Sequence, residues 1–152
     1  MAGLWYEELD GGMVIEHPQR RTVTEMDNIL FNSLTLNPQP LHIDEEFSKS
    51  SPHGTRIFNA VFTLGLVTGI PVFETTLGTT IGQLAFEEIT FPKPVFHGDT
   101  IHVVTTILDK RPSSSRPGEG IVRFEHRGMN QRDELVCYVR RVALMAMRPV
   151  AQ

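Results

Sequence analysis

An α+β fold, an antiparallel sheet curved around one long central helix, follows from three features of this 152-residue sequence. Residues 57–73, IFNAVFTLGLVTGIPVF, carry no charge, and their apolar side chains cover every face of a helix. Four segments rich in β-branched residues come after this run, and one strand-like stretch, residues 19–24, comes before it. A helix that is apolar all round must be enclosed by lipid or by protein. A bilayer span needs about 20 strongly apolar residues, and here Asn59, Thr63, Thr68, Gly65, Gly69 and Pro71 interrupt a shorter run. Enclosure by the chain's own sheet is the reading that remains.

The elements can be justified in order. The opening MAGLWYEELDGG has neither a basic region nor an apolar core, so no secretory signal is expected, and it lacks the arginine-rich character of a transit peptide. Thr24-Glu-Met-Asp27 has the spacing of a capping box, with carboxylates where the helix dipole favours them. Met26, Ile29, Leu30 and Leu34 then recur at helical spacing and predict a short amphipathic helix. A second short helix is predicted from Asp44, with Glu45 and Glu46 in its first turn and Phe47 as its buried anchor. In the central helix Gly65 and Gly69 have the spacing of a membrane dimerisation motif, but in a helix enclosed by protein they more simply allow close approach to a sheet. Strands are predicted at residues 79–91, 101–108, 121–127 and 135–147. The segment 112–120, PSSSRPGEG, reads as a surface loop, and Asn130 to Glu134 as the turn of a hairpin.

Composition bounds the function. The length suits one domain, residues 1–152. Fourteen basic against 18 acidic residues give a net charge of −4, which argues against a nucleic-acid binder. The single cysteine, Cys137, permits neither an intrachain disulfide nor a cysteine-based zinc site, so a reduced, cytoplasmic setting is expected. His17, His53, His102 and His126 have no metal-ligand spacing with one another or with Cys137, and no metal is expected. No membrane association is expected either.

Two segments carry a family resemblance. Asn37-Pro-Gln-Pro-Leu-His42-Ile-Asp44 resembles the signature of the MaoC-like dehydratases, the (R)-specific enoyl-CoA hydratase group, in which Gly-Asp-x-Asn-Pro-Leu/Ile/Val-His precedes the central helix at a fixed distance. Phe91-Pro-Lys-Pro-Val-Phe-His-Gly-Asp-Thr-Ile101 resembles the strand-turn-strand signature of the same hot-dog-fold superfamily. The pieces run in the family's order from about Thr22 to Met147. Asn-Pro-Gln-Pro-Leu-His, with the preceding Thr-Glu-x-Asp-Asn, is similar to the branch containing mesaconyl-CoA and itaconyl-CoA hydratases.

The resemblance implies reversible addition of water to the double bond of an acyl-CoA thioester. By position, the family histidine falls on His42 and the family serine on Thr68, whose hydroxyl could equally bond back to its own helix. The backbone donor for the thioester enolate falls at Ala60, beside Asn59, where a helix N-terminus offers unpaired N–H groups. The family aspartate falls on Asn37 and the family asparagine on Gln39, and an amide cannot take a proton at neutral pH. His42 as sole base and acid with Asn37 holding the water is the preferred reading. Asp44 could instead replace the carboxylate, although it also suits a helix cap. Loss of hydration, leaving an acyl-CoA-binding subunit, is the third.

Arg20, Arg21, Arg56 and Lys93 are candidates for the CoA phosphates or a distal substrate carboxylate, with Arg56 the strongest for the carboxylate. His97-Gly-Asp99 reads as turn chemistry. The leading function is thus a hydratase or dehydratase of a short enoyl-CoA, branched or dicarboxylic chains included, with no cofactor beyond the coenzyme A of the substrate. The alternative enzyme class on this fold is the acyl-CoA thioesterase, against which stands the absence of an acidic residue in residues 57–73. The family arrangement further implies a homodimer, or a higher oligomer built from dimers, with each site completed by the neighbouring copy.

Overall fold

The computed structural model describes residues 3–149. After a 3-10 turn at Tyr6–Glu8 come β1 (Val14–Glu16), β2 (Arg21–Thr22), α1 (Glu25–Leu34), α2 (Pro40–Ile43), α3 (Glu45–Lys49), α4 (Ala60–Gly69) and α5 (Val72–Thr75). Four long strands then follow: β3 (Thr80–Thr90), β4 (Thr100–Pro112), β5 (Glu119–Met129) and β6 (Leu135–Ala146). They form an antiparallel sheet in the order β1-β4-β5-β6-β3, with β2 paired to β4. The expected sheet around a helix is therefore present. The early strand predicted at residues 19–24 is reduced to the two residues of β2, β1 lies ahead of it unpredicted, and β4 and β5 both extend into the segment expected to be a loop.

The sheet curls over α4 because alternate residues of three neighbouring strands point the same way. Val67 of α4 packs with Val23, Phe58, Ile101, Val103 and Val139 in one apolar cluster. A second cluster joins Tyr6 and Leu9 to Ile107, Val122, Phe124 and Met145. Burying one such side chain stabilises by about 1.5–3 kcal/mol, so the first cluster fixes the relation of helix to sheet and the second pins the N-terminal turn to the sheet. Close approach comes from the sheet side: a Cβ on Gly128 would sit 2.3 Å from Val67 Cγ2. Gly65 and Gly69 do not serve that purpose, since a Cβ at either would meet nothing within 4 Å.

The central helix is shorter than residues 57–73, and Gly69-Ile70-Pro71 separates α4 from α5. Nor is it wrapped on every side, because Val61 is exposed. No helix among the described residues is long and apolar enough to cross a membrane.

Helix α1 inverts its expected amphipathicity. Thr24 caps it as predicted, accepting from the Asp27 N–H while Asp27 accepts from the Thr24 N–H. Yet Met26, Leu30 and Leu34 are exposed, and the buried residues are Asn28 and Asn32. Asp44 caps α3 through the Phe47 N–H, but Phe47 itself is half-exposed and Ser48 is buried in its place.

Candidate active site

Three buried asparagines tie the 37–44 loop, the 57–59 segment and the start of α4 into one unit. The Asn28 amide donates to the His42 carbonyl (3.1 Å) and the Ile57 carbonyl (3.2 Å), and its oxygen accepts from the Asn59 N–H (3.0 Å). Asn32 accepts from the Asn59 amide (2.8 Å) and donates to the Asn28 carbonyl (2.7 Å). Asn59 in turn caps α4 by accepting from the Val61 N–H (2.9 Å). These amides satisfy backbone groups that would otherwise be buried without partners, which explains why α1 turns its polar face inward.

His42, on α2, is oriented by this unit. Its Nδ1 lies 2.9 Å from the Ile57 carbonyl oxygen. A carbonyl only accepts, so Nδ1 carries the proton and the neutral ring keeps its lone pair on Nε2, the form a general base requires. His97, from the turn before β4, joins the unit: its Nε2 lies 2.9 Å from the Asn28 amide nitrogen, whose two hydrogens are shared among three acceptors. Burial first, and the Arg56 guanidinium second, hold the His97 imidazole below its ordinary range. The His97-Gly-Asp99 segment is indeed a turn, with Gly98 at φ +92° and Asp99 accepting from the Phe96 N–H.

The other candidates divide. Asn37 is half-buried and accepts from the Gln39 N–H (3.0 Å) in an Asx turn, leaving its amide nitrogen without an acceptor among the described residues. At α4 the first N–H groups have no partner in their own helix. Asn59 takes that of Val61, while Ala60 N–H has no acceptor among the described residues. Ala60 borders a hollow of about 260 Å³ with His53, Phe91 and Lys93. Asn37 borders another, with Pro38 and Ile43. Thr68 lies eight residues after Ala60, about 12 Å along the helix. Its hydroxyl donates to the Leu64 carbonyl (2.9 Å), and it lines a third hollow. One chain therefore does not bring Thr68 to His42.

Arg56 does not stand free for a substrate carboxylate. Its Nε donates to Glu45 (2.7 Å) and its Nη1 to Glu25 (2.7 Å), and both carboxyls are held below their usual range chiefly by those bonds. Arg21 pairs with Asp27 and Lys93 with Glu134, whereas Arg20 is exposed without a carboxylate partner among the described residues. Sequence reasoning missed Asn28, Asn32 and His97. The first two could have been suspected as polar residues spaced four apart on one helical face.

Comparison with known proteins bears on this geometry. A family model described as "MaoC like domain" matches residues 9–130. The mesaconyl-CoA hydratase of Cereibacter sphaeroides is 30% identical over 140 residues, covering 91% of this chain. The chain spans only 40% of that relative's length. The solved structure of a MaoC-like dehydratase from Rhodospirillum rubrum is 31% identical with a TM-score of 0.84, covering 97% of this chain and 100% of that one. A Mycobacterium tuberculosis protein with a double hot-dog fold is 18% identical, with a TM-score of 0.88 over 99% of this chain and 46% of its own. The sheet and helix described above are a hot-dog fold.

Proposed function

The chain belongs to the MaoC-like domain family, and we propose that it adds water to, or removes it from, the double bond of a short enoyl-CoA, branched and dicarboxylic acyl chains included. The observation that carries this reading is the tautomer of His42. With Nδ1–H donated to the Ile57 carbonyl, Nε2 is free to take a proton from water. The Asn37 amide holds that water as its oxygen bonds to the β-carbon. The electron pair of the double bond moves toward the thioester, whose oxygen accepts from the Ala60 N–H at the start of α4. The proton on His42 then passes to the α-carbon, which completes the addition. Asn59, by capping α4, keeps the Ala60 donor in place.

Coenzyme A enters as part of the substrate, and no other cofactor is called for. Lys93 borders the Ala60 hollow, which supports it as the contact for a CoA phosphate on exchange from Glu134. Residues 1–152 act as one domain in a cytoplasmic homodimer, or in a larger assembly of dimers. The separation of Thr68 from His42 within one chain supports a site completed by a second copy. So do Ile81, Leu84 and Phe86, exposed on the edge strand β3.

The test is spectrophotometric. The protein is expected to remove the enoyl absorbance of crotonyl-CoA or mesaconyl-CoA without releasing free thiol. Release of thiol would assign a thioesterase. Binding without either change would assign an acyl-CoA-binding subunit, the reading that Asn37 favours.

A further inference from the structure

Between the two apolar clusters a polar belt crosses the concave face of the sheet. Thr105 stands between Val103 and Ile107 on β4, His126 follows Phe124 on β5, and Arg141 lies between Val139 and Ala143 on β6. All three are buried, and Arg141 is only 6% exposed. The proton positions along the belt follow from its end. Arg141 Nε must donate, so His126 Nε2 accepts (2.8 Å) and His126 Nδ1–H donates to Thr105 Oγ1 (2.8 Å). The Thr105 hydroxyl then donates to His17 Nε2 (2.8 Å), and His17 Nδ1–H to Glu74 Oε2 (2.8 Å). Every link runs in one direction, and the only carboxylate is four bonds from the guanidinium.

Among the described residues Arg141 is therefore a buried cation without a counter-ion. The other arginines that are not fully exposed, Arg56, Arg123 and Arg140, all pair with carboxylates. Arg141 is bonded only to the neutral acceptors His126 Nε2 and Gln83 Oε1 (3.0 Å), and its guanidinium lies 4.5 Å over the Phe124 ring. Burial alone pulls its pKa down to about 10, with no carboxylate opposing, so it stays charged at neutral pH. Its Nη2 has no acceptor among the described residues. A charge held this way is costly unless something pairs with it. It borders a hollow of about 300 Å³ shared with Thr68, Thr76, Gln83 and Phe86. A hollow of that size has room for a short acyl group.

We infer that this hollow is a subsite for a carboxylate at the far end of an acyl group whose thioester lies at the His42 and Ala60 of a second copy across the β3 edge, read by the guanidinium of Arg141. The inference rests on the proposed hydratase reading for the acyl-CoA class, and it transfers to Arg141 the task expected of Arg56. Gln83, His126 and Phe124 hold the guanidinium before the ligand arrives, so little ordering is left to do on binding. An apolar acyl terminus in the same hollow would leave the cation unpaired, which builds in discrimination.

Calorimetric titration of the intact protein with succinyl-CoA and with butyryl-CoA tests it, because neither ligand requires turnover. Succinyl-CoA is expected to bind at least about tenfold more tightly, and Arg141→Gln to erase the difference while leaving butyryl-CoA affinity within about threefold. Equal affinity of the two ligands for the unaltered protein would overturn the inference even if the variant failed to fold. So would an Arg141→Gln loss shared equally by both ligands, the pattern of a phosphate or subunit contact. Absence of hydratase activity with the succinyl preference intact would sink the proposed reaction and leave the subsite standing.

Discussion

Two buried polar networks, one on the helices that precede the sheet and one on the sheet between its two apolar clusters, solve different problems. The asparagine network of α1 and α4 contains no charge, and its partners are mostly backbone groups from three separate segments. The belt on the sheet links side chain to side chain and keeps a cation at one end. The first fixes the place and tautomer of a histidine without altering its charge. The second preserves a charge without neutralising it nearby. The proposed base, which must accept a proton, and the proposed receptor, which must attract an anion, call for these opposite arrangements.

Removing the base is the largest expected effect. His42→Ala should lower kcat with crotonyl-CoA by about 10²- to 10⁴-fold, the usual contribution of a general base. Unfolding in urea should be little changed, since only one side-chain hydrogen bond is lost. Near-normal turnover would remove His42 from the mechanism and with it the contrast between the networks.

Asn28→Ala comes next and strikes stability instead. It strands the His42 carbonyl and the Asn59 N–H, and leaves the Ile57 carbonyl only its bond from His42 Nδ1. At about 1–3 kcal/mol for each unpaired buried group, a loss of about 3–5 kcal/mol is expected, read as a lower urea midpoint. A loss below about 1 kcal/mol would mean that water replaces the amide, and that the loop is not held as described.

The two networks differed as much in how visible they were beforehand. The helix cap at Thr24, the cap at Asp44 and the strands β3 and β6 obey rules local to a few residues, and all four could be read from spacing alone. The inversion of α1 could not. Asn28 and Asn32 are inside because groups contributed by residues 42, 57 and 59 need partners, and that need exists only in the folded chain. Phe47 and Leu34 read as core residues for the complementary reason: helical periodicity marks the apolar face but does not say whether this chain or a second copy covers it. Arg141 sits in an alternating strand where every second residue is buried, and a charged residue at an inward position looks like a register error until its partners are known. The candidate site was legible where a motif carried it, at His42, and illegible where distant strands assemble it.

Acid should separate the networks further. His126 lies well below its ordinary range through burial first and the neighbouring Arg141 and His17 second, and His97 is lowered as well. For a histidine whose folded pKa is depressed, the unfolded chain binds more protons below about 6.5, so stability rises with pH there. The contribution is complete above about pH 6.5 and declines as pH falls, by up to about 1.4 kcal/mol per unit for each histidine. Urea unfolding between pH 6.5 and pH 5 lies above the range where most carboxylates titrate. His126→Gln, which keeps an acceptor toward Arg141, should remove about half of this slope. An unchanged slope would mean that the belt tolerates a protonated His126 and that its protons do not run in the single direction deduced above.

The smallest effect is the most informative about the loop. Asn37→Asp keeps the oxygen that accepts from the Gln39 N–H, so the turn should survive with stability changed by no more than about 0.5 kcal/mol. The variant exchanges an unbonded amide nitrogen for a carboxylate oxygen able to take a proton. With Asn37 holding the water, turnover should rise by up to about tenfold, and the acid limb of kcat/KM should change shape because two groups then share the proton. The Asp44 carboxylate caps α3 through one oxygen. If neither rate nor pH profile responds to Asn37→Asp, the water is held elsewhere, and His42 acts in the charge-free network without a partner from this loop.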